Sequence, residues 1–121
     1  MVPDIVLLGA EWNPRTLLRA QLIEEGFEVL ATDDWPTTRR YLRPGSTPKL
    51  LIVDLKGLPE PRQVLDDLRV LMKPERVLVF GATATLPPTE IRAMGFRTMA
   101  RPVCIADIVA EANRTAGAEA R

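Results

Sequence analysis

A single carboxylate stands where this chain could carry out chemistry. Asp54 ends a short apolar run, so it would lie at the mouth of a buried strand. Two similar apolar runs end instead in Gly9-Ala10 and Gly81-Ala82. Parallel α/β sheets bind their ligands outside the carboxyl ends of the strands. The sequence therefore predicts the frame of a site from which most of the reactive groups are missing.

The chain has no histidine and one cysteine, Cys104. The absence of histidine excludes histidine-dependent triads and most catalytic zinc sites. A lone cysteine cannot form an internal disulfide, which favours a reducing, cytoplasmic setting. The sequence contains no recognisable pair of nucleophile and base. We therefore expect no enzyme, no catalytic residue, no metal site and no cofactor.

The charge balance limits the classes of partner. Sixteen basic and sixteen acidic residues cancel, so no long-range attraction for nucleic acid or an anionic membrane is expected. No apolar run approaches the roughly 18 residues of a membrane-spanning helix. A length of 121 residues predicts one domain over residues 1–121. Its core would cover about 3–115, with a C-terminal tail that frays after about Arg114.

Strand and helix patterns alternate five times. The apolar runs at 4–8, 50–53 and 77–80 are typical of strands buried on both faces, and the more polar segments 27–31 and 96–100 of edge strands. Helical patterns follow the strands at about 14–25, 34–42, 64–72, 88–94 and 105–112. This alternation predicts right-handed crossovers and a parallel sheet between two helical layers.

The first helix has candidate boundary residues at both ends. Asn13 can cap its N-terminus, and Gly26 can end it. Leu18, Leu22 and, at the margin of the same face, Ile23 would point into the core.

Over residues 3–115 the chain resembles the receiver domain of two-component response regulators. Residues 24–29 look like the end of that family's first helix and its second strand. Asp54 falls where the family carries its phospho-accepting aspartate, and Arg101-Pro102 falls where it carries Lys-Pro. The resemblance implies an α/β, flavodoxin-like three-layer sandwich with five helices and a five-stranded parallel sheet of order 2-1-3-4-5.

The chain departs from the family at the positions that hold Mg²⁺. Gly9 and Ala10 stand where the family has two acidic residues that bind the metal together with the phospho-accepting aspartate. Mg²⁺ takes near-octahedral oxygen ligands, and Asp54 alone offers too few of them. Glu11 comes one residue late and would have to turn back to contribute.

Two further departures concern the phosphorylation switch. Gly81 replaces the family's switch serine or threonine, and Arg101 replaces its lysine, keeping the charge but not the geometry. We expect Arg101 to pair with Asp54 and to balance its charge in place of the metal. In this interpretation Asp54 is a solvated carboxylate that pairs with Arg101 or caps neighbouring amides.

These features predict a degenerate receiver that acts through protein–protein contacts without Mg²⁺-dependent aspartyl phosphorylation. One alternative is a conventional receiver phosphorylated on Asp54, and another is a flavodoxin-like domain that binds a nucleotide or flavin. The expected partner is a histidine kinase, a regulator, another signalling protein or a second copy of the chain. The resemblance implies a contact surface on the fourth helix, fifth strand and fifth helix, near Arg92, Arg97, Met99 and Glu111.

Overall fold

The computed structural model describes residues 2–84, 86–99 and 104–117, and within them five strands alternate with five α-helices. The strands are β1 (Ile5–Gly9), β2 (Val29–Thr32), β3 (Leu50–Asp54), β4 (Val77–Phe80) and β5 (Arg97–Thr98). The helices are α1 (Trp12–Glu24), α2 (Trp35–Arg39), α3 (Pro61–Leu71), α4 (Pro88–Ala93) and α5 (Ile105–Ala112). A 3₁₀ turn, Pro74–Arg76, precedes β4, and a π-helical turn, Asn113–Gly117, follows α5.

The strands form one parallel sheet of order β2-β1-β3-β4-β5, which confirms the predicted fold class. The two more polar strands, β2 and β5, lie at the edges as predicted. The register places Gly9 of β1 and Phe80 of β4 on either side of Asp54. The carboxyl ends of the three inner strands therefore meet around this carboxylate.

Alternating side chains of the inner strands point to opposite faces of the sheet and form two separate hydrophobic cores. Val6, Leu51 and Val79 face one side of the sheet, where they pack with buried residues of α3 and α4. Leu7, Ile52 and Leu78 face the other side, where they pack with α1 and α5. Because both faces of the sheet are covered, the inner strands read as continuous apolar runs in the sequence.

Gly26 terminates the helix α1 as predicted, but the following strand begins later than predicted. Gly26 has φ +98°, and its amide donates to the Ile23 carbonyl at 3.0 Å. The Phe27 amide donates to the Leu22 carbonyl at 3.2 Å, which completes a Schellman motif. Phe27 is thus part of the helix end, and β2 begins at Val29 and not at the predicted residue 27.

Two predictions for α1 are wrong. The helix begins at Trp12 with Glu11 at its N-cap, so Asn13 lies inside the first turn and does not cap it. Leu18 and Leu22 are buried as predicted, but Ile23 is 43% exposed. A helix turns about 100° per residue, and this step carries Ile23 away from the face that Leu22 buries.

The helix α2 is shorter than predicted and ends at Arg39. Asp34 caps it by accepting a hydrogen bond from the Thr37 amide at 2.7 Å and another from the Thr37 hydroxyl at 3.0 Å. These two hydrogen bonds lower the pKa of Asp34, and the one from the Thr37 amide has the larger effect.

The helical backbone continues beyond Arg114, where the sequence predicted fraying to begin. The π-helical turn extends to Gly117, and the Ala116 side chain is fully buried in the core beside α1 and α5. A small side chain at this position can pack closely, which keeps the turn against the domain. Along the described part of the chain, no helix is long and apolar enough to cross a bilayer.

Candidate functional site

Asp54 is buried at the end of β3 and turned onto its own backbone. The residue as a whole is only 8% exposed. Oδ1 accepts a hydrogen bond from the Lys56 amide at 3.0 Å, the geometry of an Asx turn. The Leu55 amide donates to the Phe80 carbonyl at 2.9 Å, which ties this turn to β4. Asp54 therefore caps a neighbouring amide, which was one part of our expectation, but it is buried and not solvated.

Because Gly81 has no side chain, the Asp54 carboxylate can occupy the space beside it. A Cβ atom added at Gly81 would lie 2.3 Å from Oδ1 of Asp54 and 2.9 Å from the amide nitrogens of Leu55 and Lys56. Gly81 also has φ +81°, a conformation that side-chain-bearing residues adopt at a cost. In this arrangement a serine or threonine at position 81 and the observed carboxylate position exclude each other.

Gly9 differs from Gly81 because it has room for a side chain. A Cβ atom added there would lie 3.8 Å from Cβ of Asp54 and 3.8 Å from Cβ of Arg15, both ordinary contacts. The Gly9 carbonyl accepts a hydrogen bond from Nη1 of Arg15 at 3.0 Å. The first turn of α1 thus places a guanidinium at the end of β1, where the resembled family places carboxylates.

Glu11 does turn towards the site, but it pairs with a lysine. Its Oε1 lies 3.3 Å from Nζ of Lys56, and both side chains are about half exposed. Lys56 therefore contacts both carboxylates of this region, Asp54 through its backbone amide and Glu11 through its ammonium group. Sequence reasoning missed Lys56 and Arg15, although the spacing of Arg15, four residues after Glu11, is a helical neighbour spacing.

Little space remains between these groups. A cavity of about 20 Å³ lies among Gly9, Glu11, Arg15, Asp54 and Phe80, with Leu7 and Leu18 as its remaining lining. That volume holds roughly one water molecule. Within residues 2–84, 86–99 and 104–117, no three His, Cys, Asp or Glu side chains come together as a metal-binding group. Mg²⁺ usually keeps several waters, and a cavity of this volume has no room for them.

The predicted pairing of Asp54 with Arg101 lies outside the described residues and stays a prediction.

The predicted contact surface forms a groove at the β5 edge of the sheet. Arg92, Arg97, Met99 and Glu111 all line this groove, which has a volume of about 720 Å³. Arg97 is fixed within it, because Nη1 donates to Glu111 at 2.7 Å and Nη2 donates to the Glu75 carbonyl at 2.7 Å. Arg92 has a lighter attachment, a single 3.2 Å hydrogen bond to the Thr98 hydroxyl. The structure thus brings together the four residues that the resemblance singled out.

Replacement of Asp54 separates its hydrogen-bonding role from its charge. Asp54→Ala leaves the Lys56 amide without its acceptor, and we expect the free energy of unfolding to fall by about 1–3 kcal/mol. Asp54→Asn keeps an acceptor oxygen and should have a clearly smaller effect. Urea denaturation of the three proteins measures the difference. Equal losses for both variants would show that the charge, and not the amide bond, holds Asp54 in place.

Replacement of Gly81 tests the crowding around the carboxylate. Gly45 has a similar φ of +76° and nothing within 4 Å of an added Cβ atom, so Gly45→Ala reports backbone strain alone, about 1–2 kcal/mol. Gly81→Ala adds the clash with Asp54 and should destabilise the fold clearly more than Gly45→Ala. Combining Gly81→Ala with Asp54→Ala should recover part of the loss in a double-mutant cycle. Strictly additive effects would contradict the proposed contact.

A scan against protein-family models found no match for this sequence, and a search of curated proteins found none either. Comparison with solved structures did find matches. NtrX from Brucella abortus is 19% identical with a TM-score of 0.76, over 99% of this chain and 28% of the NtrX chain. This chain therefore spans less than a third of that protein. The separate receiver domain of the same NtrX is 20% identical with a TM-score of 0.75, over 92% of this chain and 96% of the domain.

Two further structures match along nearly their whole length. A response regulator receiver domain protein from Clostridium thermocellum is 20% identical with a TM-score of 0.74, over 96% of this chain and 95% of that one. The adenylate cyclase from Rhodopirellula baltica is 21% identical with a TM-score of 0.72, over 94% of this chain and 87% of that one. With its sheet order and its five alternating helices, the chain has the fold of the response regulator receiver domains.

Proposed function

We propose that this domain is a signalling module of the two-component type that acts through protein–protein contacts and is not switched by Mg²⁺-dependent phosphorylation. The observation that carries the proposal is the position of the Asp54 carboxylate. It is held by the Lys56 amide and fills the space in front of Gly81, where the resembled family needs a hydroxyl side chain.

The chemistry of phosphoryl transfer supports this proposal. Catalysis depends on positioning and on charge neutralisation by metal ions and cations around the transferred group. Asp54 is 8% exposed, and the adjoining cavity of about 20 Å³ is far smaller than a phosphoryl group with a hydrated metal ion. Gly9 and Ala10 supply no carboxylate. Among the described residues, this end of the sheet therefore lacks carboxylates at positions 9 and 10 and has little space for the reaction.

The same cavity argues against a nucleotide- or flavin-binding domain. In this sheet order, ligands bind at the carboxyl ends of β1 and β3, where the chain direction of the connections reverses. That position coincides with the small cavity beside Gly9 and Asp54. No described group of residues there forms a nucleophile–base pair, and we propose that the domain is not an enzyme.

Incubation with acetyl phosphate and Mg²⁺ tests the proposal directly. We expect no mass increase of the protein, and no change in its amide spectrum when beryllofluoride is added. A receiver domain with a complete acidic site serves as the positive control under the same conditions. A stoichiometric phosphoryl adduct on Asp54 would overturn the proposal and restore the conventional receiver.

Placing acidic residues at positions 9 and 10 shows whether phosphorylation is prevented by the lack of metal ligands or by the lack of space. A Cβ atom added at the buried Gly9 makes only ordinary contacts and Ala10 is exposed, so we expect the double variant Gly9→Asp, Ala10→Asp to fold, with lower stability because a second carboxylate then lies beside Asp54. We expect it to gain measurable Mg²⁺ binding and still to form no adduct, because Asp54 stays against Gly81. An adduct in this variant alone would show that the ligands were the only deficiency.

We further propose that the partner binds at the groove between α4, β5 and α5. The partner is a histidine kinase, a regulator, another signalling protein or a second copy of this chain. The groove exposes an apolar and cationic lining that includes Met99, Arg92 and Arg114, and arginine and methionine are enriched in protein interfaces. Cys104 also lines it.

Sedimentation over a range of concentrations tests self-association through this groove. Arg92→Glu is the suitable probe, because it changes the surface and gives up only one hydrogen bond. Arg97→Glu is unsuitable, since it would break an internal network and face Glu111. We expect Arg92→Glu to shift a dimer towards monomer, and Arg19→Glu, an exposed cation on α1, to leave it unchanged. A wild-type monomer at high concentration would exclude the second copy as partner.

A further inference from the structure

A second groove lies at the opposite end of the sheet from Asp54. It has a volume of about 690 Å³ and lies between the last turn of α3, the 3₁₀ turn before β4 and the loop before β3. Both of those strands run away from it towards the Asp54 end, because the sheet is parallel. The five residues of β3 separate the two ends by roughly 16 Å. This surface is therefore physically distinct from the site described above.

Every charged side chain that lines this groove is positive. Arg69 and Lys73 are exposed, Arg76 is half-buried, and no carboxylate is among the lining residues. A tight turn, Arg43–Ser46, forms one wall: Pro44 and Gly45 face the groove, while Arg43 lines a neighbouring hollow of about 240 Å³ together with Arg40. In a chain whose charges cancel overall, this is a local concentration of cations.

Two of the cations of this groove, Arg69 and Lys73, take no part in the ion pairs between described residues. In the described ranges, Arg69 and Lys73 form no ion pair, whereas Arg39, Lys49, Lys56, Arg62, Arg97 and Arg114 all do. The negative end of the α3 dipole favours cations nearby and accounts for Arg69. It does not account for Arg43, which belongs to a separate loop.

An exposed apolar side chain lies among these cations. Val70 is 86% exposed and is the most exposed large hydrophobic side chain of the described residues. Valine is a mediocre helix former, so helix stability gives no reason for it at this position. Val70 lines the groove together with Pro44 and the half-buried Leu71. The groove thus combines an apolar floor with a cationic rim.

We propose that this amino-end groove binds an acidic segment of a partner protein, with an apolar side chain of that segment seated on Val70. Charge complementarity to the rim would steer the encounter, and the apolar contact would fix the register. A nucleic acid backbone would use the cations but not Val70. A membrane surface would need more exposed apolar area than one valine beside a concave wall. The proposal is independent of whether Asp54 is phosphorylated.

Fluorescence anisotropy with a labelled peptide, rich in glutamate around one central leucine, tests this proposal on the whole chain. We expect binding that weakens as salt is added. The double variant Arg69→Glu, Lys73→Glu should weaken binding by about tenfold or more, while Arg19→Glu on α1 should leave it nearly unchanged. Val70→Ser should also weaken binding. Its matched control is Leu17→Ser, which alters another exposed apolar residue, 62% exposed, on α1.

Amide shifts on peptide addition should be confined to residues 44–47 and 69–76. Shifts centred on other residues, or equal affinities for the Arg69→Glu, Lys73→Glu variant and the wild type, would overturn the proposal. The same peptide with glutamine in place of glutamate should not bind. Tighter binding of a single-stranded oligonucleotide or of anionic phosphatidylserine vesicles through the same residues would replace the acidic protein segment as occupant. All variants are surface changes, and circular dichroism verifies that each is folded.

Discussion

The contact between the Asp54 carboxylate, the Lys56 amide and the backbone of Gly81 determines what this end of the sheet can do. The 3.0 Å hydrogen bond closes the turn after β3, and the bond from Leu55 to Phe80 fastens that turn to β4. Only glycine leaves space for this arrangement at position 81, where an added Cβ would meet the carboxylate at 2.3 Å. The absence of a side chain at position 81 and the position of the Asp54 carboxylate are thus two aspects of one contact.

Two cationic side chains, those of Arg15 and Lys56, lie near this turn. Arg15 donates to the Gly9 carbonyl at 3.0 Å, and Lys56 pairs with Glu11 at 3.3 Å. Both interactions are partly exposed, so each contributes little to stability by itself. Their effect is mainly geometric, because the guanidinium and the ion pair cover the cavity beside Asp54. The described neighbours of the cavity thus satisfy one another through hydrogen bonds and an ion pair.

Much of the fold could be predicted from the sequence, because burial on both faces of a parallel sheet produces continuous apolar runs that are easy to recognise. The edge positions of β2 and β5 and the helix end at Gly26 followed from this pattern and from glycine chemistry, whereas the order of the strands came from the resemblance to the receiver family. The prediction of Asn13 as a cap was wrong, since cap preferences compete with packing and do not fix the first residue of a helix. The steric requirement at Gly81 could not be predicted, because it arises from a contact between two strand ends that are distant in sequence. Arg15 and Lys56 were missed for a similar reason: their roles depend on the backbone path after each strand.

The two ends of the sheet differ in a way that bears on how such a module could act. Among the described residues at the carboxyl end, Lys56 pairs with Glu11, Arg15 donates to the Gly9 carbonyl, and only a small cavity remains. At the amino end, Arg69 and Lys73 form no ion pair with another described residue, and they lie beside the exposed Val70, although a folding chain gains nothing by exposing that side chain to water. Larger exposed apolar patches with a polar rim mark interaction sites, which is the role that we propose for this groove. Open α/β sheets bind their ligands outside the carboxyl ends of the strands, whereas the groove that we propose as a binding surface lies at the other end.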